Sequence, residues 1–129
     1  MDEKKQYVCK KNQMILYAVT DSGWATNDYT LEMQIEDALK GGVTLLQLRE
    51  KNMDTNELAE LGKRVKAICD RYNVPMLIDD DVEAARLCGA DGVHVGQGDM
   101  SPVEVRRLLG DSAIVGVTAK TVEQAFRAQ

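Results

Sequence analysis

Three adjacent carboxylates, Asp79, Asp80 and Asp81, are the most unusual local feature of the sequence. Adjacent carboxylates repel one another and raise one another's pKa unless a cation or a helix N-terminus lies near them. A hard cation such as Mg²⁺ binds one or two carboxylates and keeps its other positions for phosphate oxygens and water. The pattern therefore indicates a magnesium site, with Asp99 as the candidate second ligand. The alternative is that Asp81 caps a helix and its neighbours are solvated acids near the same helix terminus.

A second segment, Gln47-Leu48-Arg49-Glu50-Lys51, carries two cations suited to a phosphate group. Arginine donates two parallel hydrogen bonds to phosphate, and lysine adds a compact point charge. Because alternate residues of an extended segment share a face, Gln47, Arg49 and Lys51 are expected to point the same way. The segment suits an anionic ligand held together with a metal ion. The alternative is a solvated strand exit in which Glu50 is the ionic partner of the two cations.

Two further residues could contribute polar groups, but each has a simpler structural interpretation. His94 lies between Val93 and Val95 in an apolar segment. A lone histidine there is more often a hydrogen-bonded core residue than a base, and we interpret it as one. Thr118 follows another apolar segment and is interpreted as the end of a strand.

Short apolar runs alternate along the chain with segments of helical period. The apolar runs predict five strands, at 15–20, 43–48, 76–78, 92–96 and 113–117. The helical period and start signals predict helices over 31–40 and 54–72, and further helices beginning at Asp81, Ser101 and Thr121. Short, mostly apolar strands are typical of a parallel sheet that helices cover, so the fold class is α/β.

Two architectures use this order of elements: an open doubly wound sheet, and a (β/α)8 barrel of which these are the first five units. In both, ligands bind at the carboxyl ends of the strands, so five polar strand ends should meet at one rim. Those ends are Thr20 and Asp21, then residues 49–51, residues 79–81, Gln97 with Asp99, and Thr118 with Lys120.

The composition of the sequence argues against several classes of function. With 129 residues and 44% hydrophobic content, the chain can form one core, which we predict over 14–129, behind a polar extension over 1–13. A net charge of −5 and few aromatic residues argue against nucleic acid. The sequence has no apolar run of the ~20 residues that a membrane helix needs, and its charged start is unlike a signal peptide. Three widely spaced cysteines indicate reduced thiols, and hence a cytoplasmic protein.

Taken together, the strand-end segments resemble the thiamine phosphate synthase family. Order and spacing agree from about Leu16 onward. The combination of Gln-Leu-Arg-Glu-Lys with the later Gly-Ala-Asp-Gly-Val-His pattern is specific, although each part alone is weak. The matching segments are LYAVTD at 16–21, GVT at 42–44, QLREK at 47–51, LIDD at 77–80, GADGVHVGQGDM at 89–100 and GVT at 116–118.

The resemblance implies a (β/α)8 TIM barrel and a Mg²⁺-dependent transferase. The implied reaction joins hydroxymethylpyrimidine diphosphate to a thiazole phosphate, giving thiamine phosphate and pyrophosphate. The carbon–oxygen bond breaks first, and the thiazole nitrogen attacks the resulting pyrimidine-stabilised carbocation. Asp80 and Asp99 match the metal ligands. The implied substrate-binding residues are Gln47, Leu48, Arg49, Glu50, Lys51, Asp79 and Thr118, of which Arg49, Lys51 and Thr118 are the implied catalytic residues.

Three positions depart from the family pattern. Asp79 replaces a common asparagine and places a carboxylate beside an anionic leaving group, unless it is protonated or joins the metal ligands. Asp81 replaces a frequent arginine, and Thr118 replaces a serine while keeping a hydroxyl.

The chain covers roughly three fifths of the family's length, whereas such a barrel needs at least about 200 residues. We therefore expect a barrel truncated to about five β/α units. Such a chain would keep the diphosphate half of the site and associate with copies of itself through open sheet edges. The alternatives are a thiazole tautomerase-like isomerase on the same scaffold, a non-catalytic remnant, and a doubly wound receiver-type signalling domain. The last lacks the acidic pair expected after its first strand.

Overall fold

The structure is a computed structural model that describes residues 9–129. Its centre is one sheet of five parallel strands in the order β1-β2-β3-β4-β5. The strands are β1 (Tyr17–Val19), β2 (Leu45–Leu48), β3 (Met76–Asp79), β4 (Gly92–Val95) and β5 (Ile114–Val117). The helices are α1 (Leu31–Lys40), α2 (Thr55–Arg71), α3 (Val82–Cys88), α4 (Pro102–Leu109) and α5 (Val122–Ala128). The predicted α/β class and all five strands are confirmed.

The strand order excludes one of the two predicted architectures for residues 9–129. Every strand of residues 9–129 lies beside its neighbours in sequence, so this sheet has no point at which the order reverses. A doubly wound sheet requires such a switch point. The doubly wound alternative is therefore wrong for this part of the chain, and the receiver-type interpretation fails with it.

The two faces of the sheet differ because side chains alternate along each strand. One face carries residues such as Leu46, Ile78 and Val93, which are buried in a core shared with helices α1 to α4. The opposite face, called the inner face here, carries a small apolar cluster of Leu45, Leu77 and Ile114. Two residues further along β2 and β3, the inner-face positions are Gln47 and Asp79. The inner face thus changes from apolar to polar toward the carboxyl ends of the strands.

The chain before β1 packs at the amino ends of the strands. A short 3-10 helix, Lys11–Met14, is tied to the start of β2 because the Thr44 hydroxyl donates to the Gln13 carbonyl at 2.8 Å. Cys9 packs against the apolar cluster of the inner face. The described part of the predicted 1–13 extension therefore caps the end of the sheet opposite the polar rim, while residues 1–8 lie outside the described residues.

The ends of the predicted strands differ from those of the observed strands by at most two residues. Strand β1 begins at Tyr17 rather than residue 15, because the backbone N–H of Leu16 donates to the Thr44 side chain at 2.9 Å instead of to a strand. Strand β3 extends through Asp79. Among the described residues, no helix is both long enough and apolar enough to cross a membrane.

Candidate functional site

Four of the five polar strand ends form one cavity of about 680 Å³, called the strand-end cavity here. Its lining consists of Arg49, Lys51, Asp79, Asp80, His94, Gly96, Gln97, Gly98, Thr118, Lys120 and Gln124. The predicted rim is thus confirmed for β2 to β5. The end of β1 supports the rim from outside the cavity, since the Thr20 hydroxyl accepts a hydrogen bond from the Arg49 backbone at 2.9 Å.

Two cations and two carboxylates pair at the mouth of the cavity. The Lys51 ammonium lies 2.8 Å from Asp79 Oδ2 and 2.6 Å from Asp80 Oδ2. The Arg49 guanidinium lies 3.6 Å from the same Asp79 oxygen. Hydrogen bonds to Asp79 and then to Asp80 raise the pKa of Lys51, so its ammonium stays charged. The side chains of Arg49 and Lys51 thus point to the same place, as the alternation of an extended segment predicts.

Asp79, at a position where the resemblance implies an asparagine, is the more buried of the two carboxylates. Only 9% of its side chain is exposed, compared with 38% for Asp80. A buried carboxylate requires a compensating charge, and here Lys51 and Arg49 supply it. The extra negative charge is therefore balanced within the protein and does not face the cavity unpaired.

Asp80 has an unusual backbone conformation. Its φ angle is +64°, in the left-handed region that aspartate and asparagine tolerate better than most residues. Its backbone N–H donates to the His94 carbonyl at 2.8 Å, which ties it to β4. Burial alone would raise the pKa of its carboxyl, but the hydrogen bond from the Lys51 ammonium outweighs that effect, so the pKa lies below its usual value. The Asp80 carboxylate is consequently ionised at neutral pH.

The loop after β4 brings Asp99 to Asp80. Asp99 Oδ2 accepts a hydrogen bond from the Gly96 backbone at 2.7 Å, and its own N–H donates back to the Gly96 carbonyl at 3.2 Å. This turn holds the Asp99 carboxylate near that of Asp80. Within residues 9–129, no group of three or more His, Cys, Asp or Glu side chains is arranged to hold a metal. Asp80 and Asp99 together offer two carboxylates. Mg²⁺ is usually bound by one or two carboxylates when phosphate oxygens supply further ligands.

Asp81 is a structural residue, as the alternative interpretation holds. One carboxylate oxygen accepts from the backbone N–H of Ala84 at 2.9 Å and so caps α3. The other accepts from the Thr55 hydroxyl at 2.8 Å, which joins the starts of α2 and α3. Asp81 therefore acts as a helix cap and does not line the cavity.

The remaining residues of the Gln47-Leu48-Arg49-Glu50-Lys51 segment have different surroundings. Gln47 is 5% exposed, and its amide donates to the Tyr17 hydroxyl at 2.8 Å on the inner face. The Leu48 side chain is fully buried in the core between sheet and helices, so it cannot contact a ligand in the cavity and its predicted role is limited to its backbone. Glu50 accepts a hydrogen bond from the Ser22 hydroxyl at 2.6 Å.

Thr118 lies across the cavity from the charged cluster and is fixed by three hydrogen bonds. Its backbone N–H donates to the Val95 carbonyl at 3.0 Å, and its carbonyl accepts from the Gln97 amide at 2.7 Å. Its hydroxyl lies 2.8 Å from Nε2 of His94. Sequence reasoning placed His94 in the core and so missed its place in the cavity lining. Its alternation with Val93 and Val95, which places it on the opposite face of the strand, could have revealed it.

The chain is similar in sequence to known proteins over most of its length. The family model described as thiamine monophosphate synthase matches residues 16–129. The chain is 43% identical over 114 residues to a thiamine-phosphate synthase of Clostridium tetani, covering 88% of this chain and 54% of that protein. It is 48% identical over 123 residues to a probable thiamine biosynthetic bifunctional enzyme, chloroplastic, of Oryza sativa subsp. japonica, covering 92% of this chain and 22% of that protein.

The fold of the chain also matches that of a solved structure. The thiamine phosphate pyrophosphorylase from Pyrococcus furiosus superposes with a TM-score of 0.81 at 31% identity, over 91% of this chain and 55% of that one. The chain therefore spans about half the length of the bacterial and archaeal relatives that it matches.

Proposed function

Because the chain belongs to the thiamine monophosphate synthase family, we propose that its strand-end cavity binds hydroxymethylpyrimidine diphosphate and takes part in its transfer to a thiazole phosphate. The observation that carries this proposal is the convergence of Arg49 and Lys51 on the same point as Asp79 and Asp80. Two cations beside a pair of carboxylates suit a diphosphate that enters together with a divalent cation.

The chemistry of Asp80, which lines the cavity, and of Asp99, which lies behind it in the loop after β4, fits magnesium. Asp80 and Asp99 offer only oxygen atoms, which are the ligands that this hard cation prefers. The lowered pKa of Asp80 keeps its carboxylate ionised, as a ligand must be. Asp80 and Asp99 would hold the ion, and when bound it would neutralise part of the charge that collects on the departing pyrophosphate.

The chain's own residues would bind and orient the diphosphate. The Lys51 ammonium has three N–H donors and uses two for Asp79 and Asp80, so the third can contact a phosphate oxygen. Arg49 offers its planar fork to another phosphate oxygen. The Thr118 hydroxyl donates from the opposite wall. Gln47 is buried against Tyr17 and does not line the cavity, so its role in binding is left to its support of the strand that carries Arg49. Departure of pyrophosphate by breaking the carbon–oxygen bond leaves a pyrimidine carbocation for the thiazole nitrogen. The work of these residues is electrostatic stabilisation and positioning.

We also propose that the five strands are the first five of a (β/α)8 barrel. Consecutive strand order, with α1 to α4 sharing one core on one face, supports this architecture. Within the described residues, β1 and β5 each have one unpaired edge. Self-association through these edges stays a prediction, as do the cytoplasmic location and the boundary between 1–13 and the domain.

The first test is the magnesium dependence of diphosphate binding. We expect hydroxymethylpyrimidine diphosphate to bind at least about tenfold more weakly in EDTA than in Mg²⁺, because Asp80 and Asp99 would hold an ion that neutralises part of the charge of the diphosphate. Isothermal titration calorimetry measures both affinities on the same protein. Equal affinities in the two buffers would contradict the proposal and favour the tautomerase-like alternative, which does not need the metal pair.

Two lysine variants, one in the site and one outside it, can be compared in the same titration. Lys51→Met is expected to weaken binding by about tenfold to a hundredfold, because it removes a charged hydrogen bond to the diphosphate. Lys63→Met removes a lysine of similar exposure, 54% against 50%, whose partner is Glu60 on α2 at 2.9 Å. The Lys63 variant should bind as the wild type does. Similar losses in both variants would show a nonspecific charge effect.

A further inference from the structure

His94 is the only histidine of the sequence, and its two ring nitrogens have different surroundings. Nε2 lies 2.8 Å from the Thr118 hydroxyl oxygen. Nδ1 is buried and has no hydrogen-bond partner among residues 9–129. A neutral imidazole carries its proton on one nitrogen only, and the surroundings of the ring decide which.

Gly116 determines what lies beside Nδ1. A Cβ atom at position 116 would lie 2.5 Å from Nδ1 and 3.3 Å from Cγ of the ring, so the imidazole packs against the glycine backbone. The corresponding Cα hydrogen of Gly116 therefore points toward Nδ1. A proton on Nδ1 would meet this hydrogen and find no acceptor, whereas a lone pair there faces a weakly polar C–H group. Buried N–H groups without acceptors are rarer in native proteins than undersatisfied acceptors.

We infer that His94 carries its proton on Nε2 and donates it to Thr118, which leaves the Thr118 hydroxyl proton free to point into the strand-end cavity. A hydroxyl has one proton and two lone pairs, so accepting from His94 does not use its donor. In the opposite tautomer, Thr118 would donate to His94 and present only lone pairs to the cavity. Lone pairs repel an anion, so the tautomer decides whether Thr118 can bind one.

His94 is thus a positioning residue, acting on the ligand through Thr118. The backbone of Thr118 is already held by Val95 and Gln97, at 3.0 and 2.7 Å, so the role left to His94 is to orient the hydroxyl. The tautomer of His94 follows from the surroundings of its two ring nitrogens alone. Its consequence for an anionic ligand rests on the proposed function, because the anion there is the diphosphate.

Long-range ¹H–¹⁵N correlation spectra of the uniformly ¹⁵N-labelled wild-type protein test the tautomer directly. The single imidazole gives one set of ring signals, recorded at a pH at which the ring is neutral. We expect the pattern of a protonated Nε2 and an unprotonated Nδ1. The pattern of a protonated Nδ1 would overturn the inference, whether or not the protein binds a diphosphate.

Variants test the positioning role, with inorganic pyrophosphate in Mg²⁺ as the probe. His94→Gln places an amide N–H near the position of Nε2, whereas the shorter side chain of His94→Asn ends near Nδ1 and cannot reach Thr118. We expect His94→Asn and Thr118→Val each to weaken binding by about tenfold to a hundredfold, and His94→Gln to stay within about threefold of wild type.

The double variant completes this test. Because His94 acts through Thr118, adding His94→Asn to Thr118→Val should cause little further loss. Equal losses in His94→Gln and His94→Asn, with thermal unfolding like that of the wild type, would overturn the positioning role. If the wild type itself fails to bind pyrophosphate, the proposed function fails, and the spectra still decide the tautomer.

Discussion

Asp80→Asn is expected to weaken magnesium-dependent binding of hydroxymethylpyrimidine diphosphate by at least about a hundredfold, or about 2.7 kcal/mol. Asparagine keeps one side-chain oxygen and tolerates the left-handed backbone at φ +64°, so the fold is preserved. What is lost is the negative charge that would hold a divalent cation beside the diphosphate. Calorimetric titration in Mg²⁺ and in EDTA separates the metal-dependent part of the affinity from the rest.

Asp81→Asn is the matched control, since it makes the same substitution one residue further along. Asparagine is as good a helix cap as aspartate, so α3 should remain capped and binding should not change. If the Asp80 variant keeps the magnesium effect, or if the Asp81 variant loses it equally, the assignment of Asp80 as a metal ligand is wrong.

Gly92→Ala is expected to produce the largest loss of stability of any substitution considered. A Cβ atom at this position would lie 1.8 Å from the carbonyl oxygen of Ile114 and 2.6 Å from its carbonyl carbon. Gly92 pairs with Ile114 in the sheet, so relief of this overlap requires β4 and β5 to separate. We expect the free energy of unfolding to fall by about 3 kcal/mol or more, from a total of about 5 to 15 kcal/mol for an ordinary domain.

Urea denaturation followed by circular dichroism measures this change. The control is Gly98→Ala, because a Cβ atom there meets nothing within 4 Å. That variant should stay within about 0.5 kcal/mol of wild type. A Gly92 variant with an unchanged midpoint would show that β4 and β5 do not approach as closely as described.

The elements of this fold could be predicted from sequence because local patterns determine them. Asp54 and Glu57 predict a helix start, and the structure contains the reciprocal capping box between them at the start of α2. The rim could also be predicted, because parallel strands place their carboxyl ends together. The strand order could not be predicted, since apolar runs of similar length suit both a doubly wound sheet and a barrel.

The contacts within the site required the register between strands. Lys51 meets Asp79 because Gln47 pairs with Leu77 and Leu48 with Ile78, which places the exits of β2 and β3 level with each other. No pattern within either segment contains that register. For this reason the sequence did not show which groups compensate the negative charge of Asp79. The structure shows that Lys51 and Arg49 do so.

A match between a whole segment and a family motif also assigns the same role to residues whose structural environments differ. Leu48 and Arg49 are adjacent in the Gln-Leu-Arg-Glu-Lys motif, yet alternation sends one side chain into the core and the other to the cavity. The same alternation places His94 on the inner face beside Thr118, between two valines that face the helices. Residue roles at strand ends therefore follow from the face that each residue occupies as well as from the motif.

Direct measurement of divalent-cation binding tests the central claim, that Asp80 and Asp99 hold a metal ion against a diphosphate. Electron paramagnetic resonance of Mn²⁺, which shares the oxygen preference of Mg²⁺, reports the free ion in the presence of protein and inorganic pyrophosphate. The wild type should retain Mn²⁺ in a complex that contains both the protein and pyrophosphate, and Asp80→Asn and Asp99→Asn should not. Equal retention by the wild type and both variants would contradict the account.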